Sequence, residues 1–236
     1  MSLPIMMHPT FNVTIPSTKE KIRMRPFLVR EEKILLMAQT SENPKDIVQA
    51  IQQVVSNCLV DSVNVGDLTT FDVEYLFLKL RGKSVGSTIE LKYTDPTDNN
   101  RYDIVVNVDD VEVLFDEEHT NKVEITETSG IILRYPKADV TEKLAVNITS
   151  EIQMLFDLMK YCLDEVYDES SVYKISDYTD QQIDEFLEAL DITTFKKIQK
   201  FIETMPKLYH EVPYIRKDGS EGKVVLQTLN DFFTLR

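Results

Sequence analysis

The stretch Phe71-Asp-Val-Glu-Tyr-Leu-Phe-Leu-Lys-Leu-Arg-Gly-Lys-Ser-Val-Gly-Ser-Thr-Ile-Glu-Leu-Lys-Tyr93 passes from a nearly all-apolar helical pattern into an alternating one. At helical spacing Leu68, Phe71, Tyr75 and Leu78 share one face, while Val73, Leu76, Phe77 and Leu80 fill the others. Almost no side is left for water, so this helix is expected at the centre of the fold. Thr70 is its expected N-cap, with Asp72 and Glu74 in the first turn. Lys79, Arg81 and Lys83 crowd the last turn, each sign complementing the helix dipole, and Gly82 or Gly86 is expected to end the helix. From Ser87 the period becomes two: Ile89, Leu91 and Tyr93 point one way, Glu90 and Lys92 the other.

Working toward the N-terminus, Asn43-Pro44-Lys45-Asp46 has a cap, a proline at the first helical position and a carboxylate in the first turn. The helix it starts carries Ile47, Ile51, Val54, Val55 and Cys58 on one face. Pro26 blocks a strand, and a helix is expected from about Val29. Before it, Phe11, Val13 and Ile15 alternate with polar neighbours, and Ile22 to Met24 is extended, which predicts a small hairpin turning at 16–20.

Toward the C-terminus, Asp95-Pro-Thr-Asp-Asn-Asn100 is a turn, and Tyr102, Ile104, Val106 and Val108 resume the alternation, continued by Val111, Val113 and Phe115. Val123 with Ile125, then Ile131 with Leu133 and Tyr135, add two strands, so the middle third is expected to be one antiparallel meander. A helix capped by Ser150 or Thr149 is expected to carry Ile152, Leu155, Phe156, Met159, Leu163 and Val166 as a stripe. Thr179 and Gln182 match a capping box, Phe195 to Met205 is a further helix stopped by Pro206, and Tyr209 to Leu226 reads as a hairpin. Phe232 and Phe233 in the apolar tail either fold back onto the C-terminal helices or anchor a partner. No internal repeat and no low-complexity linker is evident. The fold class is α+β: a mixed N-terminal region over 1–86, an antiparallel β region over 87–136, and a mainly helical C-terminal half over 137–236 ending in a hairpin and aromatic tail.

The 236 residues are 42% hydrophobic and 28% charged, with six Gly and nine Pro, an ordinary globular composition. No run approaches the roughly 20 apolar residues of a membrane helix, and the N-terminus lacks a signal core, so a soluble, cytoplasmic chain is expected. The net charge of -14 would repel a phosphate backbone, which argues against nucleic acid as partner. Cys58 and Cys162 both fall on apolar helical stripes and read as reduced core residues.

Catalytic signatures do not assemble. His8, His119 and His210 have no Cys or carboxylate at metal spacing. Gly82-Lys83-Ser84 has Phe77 where a phosphate-binding loop needs its first glycine, and Asp95, Thr97 and Asn99 are followed by Asn100 and Val106 where a calcium loop needs glycine and glutamate. The cluster Asp109, Asp110, Glu112, Asp116, Glu117 and Glu118 reads as a solvated surface that blunts a sheet edge. No cofactor and no metal is expected. Arg23, Arg25 and Arg30 form either solvated surface or a docking patch for an acidic partner. With Phe232 and Phe233 they are the candidate partner-binding residues.

Arg25-Pro-Phe-Leu-Val-Arg-Glu-Glu-Lys33, followed by Phe71 to Lys83 and Ile89 to Tyr93, resembles the baseplate hub assembly proteins of T-even-type contractile-tailed phages. The resemblance covers residues 20–135 well and the rest only in general character. It implies a non-enzymatic protein working in the host cytoplasm during assembly, either as an assembly chaperone or as a hub component that stays in the tail baseplate. Its partners would be other hub or tail proteins, with no membrane contact and room for homo-oligomers. It brings no catalytic residue to carry over. The competing expectation is a tail-associated cell-wall hydrolase with two carboxylates across a cleft.

Overall fold

The computed structural model describes residues 8–41, 43–140 and 150–234, without the side chains of Pro44, Glu151, Phe233 and Thr234. The chain forms two units, one comprising the residues up to Leu114 together with those from Lys207 onward, the other Phe115–Pro206. Among the described residues it is a mixed α+β fold with several small antiparallel sheets.

The first unit opens with the hairpin β1 (Phe11–Thr14) and β2 (Lys21–Met24), in which Val13 faces Ile22. Helix α1 (Val29–Gln39) and helix α2 (Pro44–Cys58) follow, the second capped by Asn43 through its contact to the Lys45 amide. The central helix α3 (Thr70–Ser84) buries Phe71, Val73, Leu76, Phe77, Leu78 and Leu80, so it is covered nearly all round as the sequence requires. Its cap is Thr69 rather than Thr70. The Thr69 hydroxyl accepts from the Asp72 amide while the Asp72 carboxylate receives the Thr69 N–H, and that reciprocal pair fixes the start one residue earlier. The helix runs through Gly82, where a Cβ would stand 2.7 Å from a Val108 methyl, and gives way before Gly86, whose φ of +139° favours glycine.

β3 (Thr88–Thr94) and β4 (Arg101–Asn107) pair with Ile89 opposite Val106 and Leu91 opposite Ile104, all four buried. The expected meander ends there. A 3-10 turn at Val108–Asp110 redirects the chain, and β5 (Glu112–Leu114) pairs instead with β10 (Lys207–Ile215), which in turn pairs with β11 (Glu221–Leu226). The turn is held by Lys79, whose ammonium donates to the carbonyls of Val108, Asp109 and Val111 at 2.7 to 2.9 Å. Burial pushes the Lys79 pKa down, against the pull of Asp109, Asp110 and Glu112.

In the second unit β6 (Lys122–Glu124) and β7 (Gly130–Leu133) belong to a four-stranded sheet in the order β6-β7-β8-β9. Helix α4 (Glu151–Cys162), capped by Ser150, stops at Cys162. Leu163 and Val166 lie instead on β8 (Leu163–Tyr167), paired with β7 and with β9 (Val172–Lys174). The C-terminal half is therefore mixed: the helical stripe is cut short because β7 offers Leu163–Tyr167 a ladder, a long-range partner that periodicity does not register. Helix α5 (Asp180–Glu188) starts at the Thr179–Gln182 capping box and α6 (Ile192–Glu203) at Asp191. Their apolar faces close over Val123, Ile131, Leu133, Met159, Cys162 and Leu163.

The two units repeat one local design. In each, a hairpin ends in an arginine whose amide donates to the carbonyl of the helix-terminal cysteine: Arg25 to Cys58 at 2.9 Å, Arg134 to Cys162 at 2.7 Å. The arginine side chain takes the preceding carbonyl as well, Asn57 or Tyr161. A leucine in extended conformation follows each cysteine, then a 3-10 turn (Val65–Asp67 or Ile175–Asp177) and a helix with a threonine capping box. This corrects the reading that the sequence holds no repeat. The matching residues are few and their spacings differ, because 59–64 in the first unit corresponds to the longer 163–174 in the second.

Candidate interaction surfaces

Of the three arginines singled out from the sequence, only two keep accessible heads. Arg25 is largely buried, and both of its terminal nitrogens reach the Glu31 carboxylate, at 3.0 and 3.3 Å. Glu31 is fully covered, and it also receives the Leu28 amide at 2.8 Å and Arg30 Nε at 2.7 Å. Burial alone would push the Glu31 pKa up, but the bonds from Arg25, Leu28 and Arg30 outweigh it and hold the carboxyl at about 2. Arg25 is thus a structural clasp joining the N-terminus of α1 to the C-terminus of α2. Arg23 pairs with Asp61 at 2.7 Å and Arg30 with Glu31, each guanidinium more than half exposed. The clasp could have been found from Glu31 lying three residues past Leu28, at the N3 position from which a carboxylate reaches back to the N-cap amide.

Beside Arg30, α1 turns an apolar stripe outward. Val29, Leu36 and Met37 are 86%, 53% and 63% exposed, and with Lys33 they follow i, i+4, i+7, i+8 spacing on one face. Its inward side carries the Glu31 clasp and Ala38.

Phe232 is fully buried in the short helix α7 (Asp231–Thr234), which packs against β3 in the first unit. As an exposed anchor it is excluded. It does fold back, but onto β3 rather than onto the C-terminal helices, because the Asp231 carboxylate takes the Gln227 and Thr228 amides at 2.8 Å and turns the chain inward. The side chain of Phe233 lies outside the described residues.

Glu74 of α3 feels the charge of Asp231 at the start of α7. Burial, reinforced by the negative charge of Asp231, pushes Glu74 up to about 7. Asp231 is the residue whose carboxylate takes the Gln227 and Thr228 amides. Asp95 is buried beside Tyr214 and Arg216, each 2.5 Å away, and these bonds hold it well below the usual carboxylate range. It joins the turns of the two hairpins β3–β4 and β10–β11.

In the second unit a groove of about 410 Å³ lies between β6 and α6, lined by Lys122, Lys197, Lys200, Glu118, Val123 and Phe201. Each lysine has a partner there: Glu124 for Lys122, the Glu124 carbonyl for Lys197, Glu118 for Lys200. His119 bonds Thr204 at 2.8 Å, stacks on Tyr135 and lies tilted against Phe201, and burial pushes its pKa down. Cys58 and Cys162 are buried, which raises their thiols to about 11 and about 12. Among the described residues no group of three His, Cys, Asp or Glu is placed to hold a metal, and no helix is long and apolar enough to cross a membrane.

Compared with known protein families, residues 8–234 match the T4 bacteriophage base plate protein family. The chain belongs to that family. The match spans residues of both units. No curated protein and no solved structure matches the chain. Membership in a base plate family gives the chain a structural role in the virion tail, with other base plate proteins as its partners.

Proposed function

We propose that this base plate family member helps to build the central hub of the phage baseplate, as a hub component or a dedicated assembly chaperone, through protein contacts and without chemistry of its own. The observation that carries this reading is the outward stripe of α1. A surface helix normally turns its apolar residues inward, and Val29, Leu36 and Met37 in solvent, flanked by Arg30 and Lys33, are the character of a covered interface rather than a free surface. Accessible Arg23 and Arg30 suit it to an acidic partner surface, while the net charge of -14 disfavours nucleic acid. Assembly would take place in the host cytoplasm.

The test is co-expression with each hub and tail protein of the same phage, followed by size-exclusion chromatography, with Leu36→Glu, Met37→Glu as the interface variant. A stable complex with a hub protein, weakened by the double substitution at unchanged melting temperature, supports the reading. Failure to bind any hub protein, together with normal tails from phage lacking the gene, overturns it. Mass spectrometry of purified tails then separates component from chaperone.

A further inference from the structure

The second unit carries an arm that the first lacks. Where residues 59–64 cross directly from Cys58 to the 3-10 turn, residues 163–174 form the hairpin β8–β9 before reaching theirs. The inner strand β8 belongs to the core, with Leu163 buried and Val166 packed against it, whereas the outer strand β9 leaves all three of its residues exposed.

Two features of the arm converge. First, β9 ends the sheet order, and among the described residues no strand pairs with its outer edge. Val172, Tyr173 and Lys174 are all exposed, Val172 at 60%. Second, the cross-strand pair Val166 and Tyr173 faces a cleft of about 410 Å³ completed by Ile175, Tyr178, Ile183 and Phe186, the last two from α5. Side chains of a strand alternate, so a segment added along β9 would place every second residue on the Tyr173 side, at the mouth of this cleft beside the exposed Tyr178.

Charge selects the occupant. From Leu163 to Asp180 the sequence holds six carboxylates and one cation, Lys174, which stands opposite Glu165; Arg134 takes up Asp164 and Lys160 lies 4.0 Å from Asp180, so Asp168, Glu169 and Asp177 remain as the acidic excess. Asp168 is locked as an anion: the amides of Ser170 and Ser171 and the Tyr173 hydroxyl all donate to it at 2.8 to 2.9 Å, holding its pKa at about 2.

We propose that the outer edge of β9 and the cleft beneath it bind an extended segment of a partner tail protein, one that inserts an apolar side chain between Tyr178 and Phe186 and carries lysine or arginine on either side. The site rests on the base plate reading and deepens it, since it names what the partner must present.

The probe is an array of overlapping peptides of about 12 residues covering the tail proteins of the phage, incubated with the purified full-length chain. The expected ligands have Val, Ile or Leu flanked by basic residues. Tyr178→Lys, a change at the exposed rim, should weaken them by about fivefold or more at unchanged melting temperature, and salt should weaken them further. Bound peptide should also slow amide exchange at Val172 to Lys174. Three outcomes overturn the proposal: no peptide bound, equal binding by the Tyr178→Lys chain, or wild-type self-association that the variant abolishes, which would make a second copy the occupant. The base plate reading fails separately. If phage lacking the gene make no tails while Tyr178→Lys phage make normal ones, the cleft is refuted and the base plate role stands.

Discussion

Removing the charge of Glu31 tests whether the Arg25 clasp holds the first unit together. In Glu31→Gln the shape is kept, but the largely buried Arg25 guanidinium faces an amide instead of a carboxylate and the Leu28 amide loses its ionic acceptor. The displacement of Glu31 from an ordinary 4.5 to about 2 converts, at 1.36 kcal/mol per unit, to about 3 kcal/mol of stability at neutral pH. Breaking one partner of a buried pair independently costs roughly 3–5 kcal/mol. Because the folded-state pKa is depressed, this stability is present above about 4.5 and is lost as pH falls through about 2. Urea unfolding followed by circular dichroism, with hydrogen exchange to separate the two units, should show the first unit losing about 3 kcal/mol at pH 7 and the wild-type advantage over Glu31→Gln shrinking in acid. The second unit supplies the control. Arg134 occupies the equivalent place, but its carboxylate partner Asp164 is nearly half exposed, so Arg134→Gln should cost only about 0–1 kcal/mol through the ion pair. A loss below about 1 kcal/mol for Glu31→Gln, or an equal loss at Arg134, would refute the reasoning.

Other expectations follow from the same geometry. Asp72 is fully buried and serves both the Thr69 cap and, at 2.6 and 2.9 Å, the hydroxyl and amide of Ser17; Asp72→Ala should cost about 2–4 kcal/mol in urea unfolding, and a neutral result would mean these bonds are not formed. Glu74 has a raised folded-state pKa of about 7, so its contribution is fully present below about 4.5 and is lost as pH rises through 7. Glu74→Gln should raise the melting temperature at pH 8 and leave it unchanged at pH 4, whereas a shift of equal size at both would rule out titration as the cause. Phe232→Ala should destabilise the first unit by about 3–5 kcal/mol, because a fully buried ring leaves a cavity; an unchanged melting temperature with a weakened partner complex would instead restore the tail as an anchor. Lys79→Met should loosen the turn at Val108–Asp110, seen as faster amide exchange in β5, and unchanged protection would show that its three carbonyl contacts are dispensable.

The sequence by itself determined the local elements. The Asn43-Pro44 start, the Thr179–Gln182 box and the alternation through Ile89 to Tyr93 each act within a few residues, and each element formed where those signals put it. The centrality of α3 was legible for the same reason, since a helix with no polar face can only be buried. Tertiary structure decided which strands met. Val113 continues the alternation of β4, yet its partner is Leu208, and Leu163 and Val166 fit a helical stripe until β7 captures them. It also sorted the charged residues: Arg25 and Arg30 look alike in sequence, and only the position of Glu31 and the end of α2 makes one a clasp and leaves the other at the surface. Phe232 likewise became core when Asp231 turned the chain toward β3. Caps and periods are interactions between near neighbours and are written in order along the chain, whereas strand pairing and burial depend on residues far away in it, and those become neighbours only in the fold.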